Sequence, residues 1–206
     1  VTAGLVARNA VEKGLTVPPH VKTSLAPGSR VVAEYLAASG LQTPLDALGF
    51  HVAAFSCSTC NGMSGPLAPA HEEAIREGDL NGGAVLSGNR NFAGRIHPLA
   101  SRNMIAAPPL VVGYALAGTV LKDITREPLG QDAVGTPVML QDLWPSEDEV
   151  EDIIATHLNA DDFATNYAAI ATVNPEWNDL DVSAETYAWG PSTYISFPPF
   201  IKSIEP

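Results

Sequence analysis

Short β-type runs alternate with helical runs through the first two-thirds of this 206-residue chain, and that alternation narrows the possible folds more than any other feature. Residues 2–13 carry Leu5, Val6, Val11 and several alanines at helical spacing, and Gly14 stands where a helix would stop. Residues 21–25 form a β-type run closed by Ala26-Pro27-Gly28. Ser29 can then cap a helix to about residue 39, with Val32, Tyr35 and Leu36 as its buried set and Gly40 as its stop. Residues 44–48 suit a helical turn broken by Gly49, and Phe50-His51-Val52-Ala53-Ala54-Phe55 reads as the next strand. A helix is expected over 69–77, a strand over 84–86 and another over 104–106. Pro108 and Pro109 open a helix to about 117, because proline presets φ and lacks a donor that would be unpaired there anyway. Such an order predicts an α/β fold, a three-layer α/β/α sandwich with a mainly parallel sheet.

Beyond residue 122 the pattern loosens. Residues 138–140 suit an edge strand. Ser146-Glu147-Asp148-Glu149 reads as a capping box opening a helix to about 157, and Asn159 can cap another. Residues 171–206 read as an irregular tail anchored by Trp177, Tyr187 and Trp189. The expected division is therefore an α/β domain over 1–145 and an acidic helical or irregular extension over 146–206. Charge follows the same division. Residues 1–140 hold ten acidic and ten basic side chains, whereas 141–206 hold thirteen acidic ones and only Lys202. The first part can host an anion, while the last disfavours nucleic acid and anionic membranes. No uninterrupted apolar run reaches membrane-spanning length, and the N-terminus reads as neither a signal peptide nor a natural start.

Both cysteines of the chain lie in Phe55-Ser56-Cys57-Ser58-Thr59-Cys60-Asn61-Gly62-Met63-Ser64-Gly65-Pro66, directly after an apolar run. Open α/β sheets keep their sites at that end of a strand. Two thiolates at C-x-x-C spacing can ligate one metal centre from a single loop. Spacing alone leaves a metal or cluster site, a redox pair and no role all open. Two cysteines are no disulfide framework, and the residues after Cys60 suit poorly the helix a thioredoxin-type pair opens. The five histidines are scattered without zinc-ligand spacing, and His97 is most simply a structural hydrogen-bonding residue.

A second polar loop follows the 84–86 strand and contains Asn89, Arg90 and Arg95. Arginine meets a carboxylate with a planar two-pronged geometry, so two in one loop suit a polycarboxylate or phosphate ligand; two solvated surface arginines are the plain alternative. The glycines at 88 and 94 match neither a phosphate loop nor a dinucleotide fingerprint.

Taken together, Val21-Lys22-Thr23-Ser24-Leu25-Ala26-Pro27-Gly28-Ser29-Arg30, Cys57-Ser58-Thr59-Cys60-Asn61-Gly62, the run from Ser87 to Pro98 and Asp142-Leu143-Trp144-Pro145-Ser146 resemble the aconitase family. The resemblance runs from about residue 4 to 146, and Trp189-Gly190-Pro191-Ser192-Thr193 is similar to the family's segment leading toward its last domain. It implies a cytoplasmic iron–sulfur hydro-lyase acting on a small tricarboxylate, of which this chain would be the third, cluster-bearing domain, joined to the remaining domains. Cys57 and Cys60 match two of three ligands of a [4Fe-4S] cluster, the third being expected upstream of Val1. Asn89, Arg90 and Arg95 match residues that bind substrate carboxylates. The family's catalytic base and acid-side residues have no counterpart here, so the chain alone is expected to be inactive. Within the family, Asn61-Gly62-Met63-Ser64-Gly65 is most similar to the 2-methylcitrate dehydratases of propionate breakdown. The alternatives are an aconitate hydratase, a non-catalytic fragment, and an RNA-binding member, which the acidic last third disfavours.

Overall fold

The computed structural model describes residues 1–57, 62–88 and 95–181. Val1–Tyr167 form one unit and Ala168–Pro206 a second. At the centre of the first lies α1 (Thr2–Glu12), whose Leu5, Val6, Ala7 and Ala10 are inaccessible to solvent. Burying one such leucine or valine contributes about 1.5–3 kcal/mol, so this face anchors the unit. The helix stops because Gly14 takes φ +78. Its N–H then reaches Val11 O at 2.9 Å, and the Leu15 N–H reaches Ala10 O at 2.9 Å, which satisfies the last carbonyls.

Two helices pack on α1: α3 (Gln42–Ala47) and α5 (Pro108–Ala117). Gly4 allows α3 close, since a Cβ there would stand 2.8 Å from Leu41 Cβ. α2 (Arg30–Ala38) lies against α3 and buries Val31 and Leu36, with Val32 and Tyr35 half-buried. Ser29 occupies its N-cap, but the side chain makes no capping bond. The stop at Gly40 forms as expected, with φ +71. Ile124, Leu129, Val138 and Leu143 complete the core, so the segment after α5 folds back over α1. Asn9 Nδ2 donates to Leu143 O at 3.0 Å, fixing that return.

Helix and strand are mixed, and the sheet is parallel as predicted. β1 (Gly82–Leu86) pairs with β2 (Ala100–Ile105) in parallel, with Leu86 opposite Ile105. Among the described residues this sheet has two strands, fewer than a sandwich core would need. The runs at 21–25 and 50–55 touch through a single parallel bridge, Leu25 to Val52, rather than forming strands. In β2 itself, Ser101, Arg102 and Asn103 leave no continuous apolar face, and most of the strand is exposed. The core therefore rests on helices α1, α3 and α5, with the sheet beside α5.

Residues 130–138 form a small antiparallel ribbon, β3 (Gly130–Gln131) with β4 (Pro137–Val138), where an edge strand was expected slightly later. α4 (Pro69–Glu77) has the expected bounds. α6 (Glu147–His157) opens on Ser146, whose Oγ accepts the Glu149 N–H at 3.2 Å. The carboxylate of Glu149 does not return to the cap; it pairs with Arg8 of α1. α7 (Ala160–Ala168) has both halves of a capping box, Asn159 Oδ1 accepting the Asp162 N–H and Asp162 Oδ2 accepting the Asn159 N–H. In the second unit, Asn174 caps the short α8 (Pro175–Asn178). Tyr187 and Trp189 lie outside the described residues. Among the described residues no helix is long and apolar enough to cross a membrane.

Candidate metal-cluster and substrate site

The approach to the first cysteine is set by backbone bonds. Leu25 N–H donates to His51 O and Ala53 N–H to Leu25 O, each at 2.9 Å, which carries the 50–55 run past Leu25. Two residues on, Phe55 lies under the Arg30 guanidinium, 5.9 Å from ring centroid to Cζ. Ser56 then adopts φ +64, a left-handed conformation that costs a residue with a Cβ about 1–2 kcal/mol. The turn is held by the Ser56 N–H to Pro27 O at 2.7 Å and Ser56 Oγ to Gly28 O at 3.3 Å. Cys57 follows this turn and is exposed. Cys60 lies outside the described residues.

The arm leaving the loop is fixed from the other side. Lys22 Nζ donates to Ser64 O at 2.6 Å, Gly65 O at 2.8 Å and Pro66 O at 2.8 Å. Ser24 Oγ donates to Ser64 Oγ at 3.0 Å. Burial pushes the Lys22 ammonium below its ordinary value. Sequence reasoning gave neither Lys22 nor Ser24 a part in the site; the only signal was their place in a run that resembles the family.

The second loop leaves the buried end of β1 at Leu86. Asn89 and Arg90 lie outside the described residues, and Arg95 returns the chain in a turn with its side chain exposed. Gly62, with φ +77, meets this return: a Cβ there would lie 3.1 Å from both Arg95 O and Ile96 O. The exits of the two loops are therefore in backbone contact. His97 steadies the second one. Leu99 N–H donates to its Nδ1 at 3.2 Å, which leaves the ring proton on Nε2, 3.6 Å from Glu72 Oε1 of α4.

Exposed thiol and exposed guanidinium thus belong to two loops whose exits touch. A thiolate is the soft donor that iron–sulfur centres use. Among the described residues no group of three His, Cys, Asp or Glu could hold a metal ion, and the chain has two cysteines in all. Cys57 suits one ligand position of a cluster, and a three-thiolate set needs a donor beyond these 206 residues.

The sequence profile of the aconitase family (aconitate hydratase) matches residues 1–118, which span both loops. The chain belongs to the aconitase family. It is 50% identical over 206 residues to aconitate hydratase A of Deinococcus radiodurans, aligning 99% of this chain with 23% of that protein. It is 52% identical over 204 residues to aconitate hydratase A of Staphylococcus epidermidis, and 49% over 204 residues to that of Rickettsia bellii. In both, 98% of this chain aligns with 23% of the relative. The chain thus spans about a quarter of the length of these aconitase relatives. They carry the name aconitate hydratase A, whereas the loop after Cys60 resembles that of the 2-methylcitrate dehydratases.

Proposed function

We propose that this chain is the cluster-bearing part of a [4Fe-4S] aconitate hydratase, which interconverts citrate and isocitrate by reversible loss of water. In this reading the complete polypeptide builds the three-layer α/β/α sandwich on residues 1–145, and 146–206 lead on to a further domain. The observation that carries the reading is the contact of Gly62 with the carbonyls of Arg95 and Ile96, which brings together the exits of the cysteine loop and the arginine loop.

Cys57 and Cys60 would hold two irons as thiolates, with a third cysteine from elsewhere in the polypeptide. When bound, such a cluster supplies a Lewis acid for the departing hydroxide. The work of this chain is binding and orientation. Arg90 and Arg95 each grip a carboxylate through paired N–H groups, and Asn89 adds a neutral donor, so a tricarboxylate is held in one register. Arginine cannot be exchanged for lysine here without loss, because an ammonium has no two-pronged face.

The test is turnover by the full-length polypeptide after anaerobic iron–sulfur reconstitution. Dehydration of citrate is expected, abolished by Cys57→Ser and given a raised KM by Arg95→Lys. No dehydration of any tricarboxylate would reject the reading. A second reading rests on Asn61-Gly62-Met63-Ser64-Gly65, whose order resembles that of the 2-methylcitrate dehydratases. One methyl group is worth about 1–3 kcal/mol of discrimination, so the ratio of kcat/KM for 2-methylcitrate and citrate decides between the two.

A further inference from the structure

We propose that Lys22 is a positioning residue that acts as a tethered ammonium ion, holding three successive carbonyls of the arm that leaves the cysteine loop and meets the exit of the arginine loop at Gly62. A lysine ammonium has three donors and no acceptor. Here all three are used, on Ser64 O, Gly65 O and Pro66 O at 2.6, 2.8 and 2.8 Å. Successive carbonyls of a regular strand point to alternate sides, so their convergence on one nitrogen needs an unusual backbone. Gly65 supplies it with φ +81, and a Cβ at that position would stand 3.8 Å from Lys22 Nζ. Three carbonyl dipoles aimed at one point repel one another unless a cation lies between them. Carbonyl oxygens at these distances are also what binds a small monovalent cation elsewhere in proteins.

The second tie, Ser24 Oγ to Ser64 Oγ at 3.0 Å, comes two positions further along the same run. The arm held in this way begins at Gly62, where a Cβ would lie a tight 3.1 Å from both Arg95 O and Ile96 O. Lys22 therefore acts on both loops through the backbone of this arm. The proposal stands whether or not the loop carries a cluster; if it does, Lys22 orients the ligand loop from behind.

The experiment is backbone ¹⁵N relaxation of the 206-residue chain carrying Lys22→Ala, with Lys22→Met in parallel. In both variants the order parameters of residues 62–65 are expected to fall from the ~0.85 of rigid backbone to below ~0.6, while α1 and α5 keep theirs. Ammonium chloride should restore the arm in Lys22→Ala. It should fail in Lys22→Met, where the methionine stem fills the place, and tetramethylammonium at equal ionic strength should fail in both. Unchanged order at 62–65, or equal rescue by tetramethylammonium, would overturn the proposal. If Lys22→Ala also loses α1, Lys22→Met decides on the same order parameters. Loss of α1 in both variants would assign Lys22 to folding instead and likewise overturn it. Failure of citrate turnover in the full-length enzyme leaves each of these outcomes untouched.

Discussion

Gly62 sits at φ +77 with two fixed carbonyl oxygens 3.1 Å from where a Cβ would be. Gly62→Ala therefore meets a left-handed penalty of about 1–2 kcal/mol and must also push two backbone segments apart. At about 2–4 °C per kcal/mol for a chain of this size, a Tm lower by roughly 2–8 °C is expected in calorimetry. An unchanged Tm would mean that the arms do not meet. Asp132 gives a prediction in pH. The Thr136 N–H at 2.8 Å and the Val134 N–H at 3.0 Å hold its carboxylate below the ordinary range. A carboxylate whose folded pKa is depressed contributes stability above its unfolded pKa and loses it as pH falls through the folded value. Asp132→Asn should therefore flatten the loss of stability below about pH 4, read as the urea midpoint against pH. An acid limb as steep as that of the parent chain would exclude this role. At this scale the sequence showed which side chains could do chemistry. It did not show that Gly62 and Arg95 meet, because they are distant in the chain and no local pattern records the contact.

Helices were read best where both ends carry a local signal. α4 and α5 open on Pro69 and Pro108 and stop before Gly78 and Gly118, and their expected bounds match. α1 and α3 end on Gly14 and Gly49 for the same reason, with φ +78 and +80. Strands were read less well, because pairing is not written in one run. The 21–25 and 50–55 runs have strand-like composition, yet one bridge joins them. Caps were legible as residue types and less so as bonds: Ser146 caps α6, whereas Ser29 leaves α2 without a side-chain bond. Ser146→Ala should therefore cost about 1 kcal/mol of unfolding free energy, while Ser29→Ala should cost only a few tenths. Equal losses in urea titrations of the two variants would contradict that assignment of caps.

For the whole molecule, the two cysteines set a limit that no rearrangement of these residues can lift. Three thiolates are needed to hold a cluster with one open iron, so the 206-residue chain alone should stay colourless after anaerobic reconstitution. A stable brown, dehydratase-active product from this chain would refute that. Among the described residues Met63, Ile105 and Leu121 are exposed, Leu121 by 93%. The acidic last third was legible from charge alone, and its weight falls on α6 and α7, whose first turns carry five acidic residues between them. Whether the cysteine loop and the arginine loop meet at their exits, as Gly62 does with Arg95 and Ile96, is tested most directly by a nitroxide on Cys57 in a Cys60→Ser chain. Paramagnetic broadening of the Arg95 Nε–H and the Ile96 amide is the predicted result; sharp, unperturbed signals from both would contradict it.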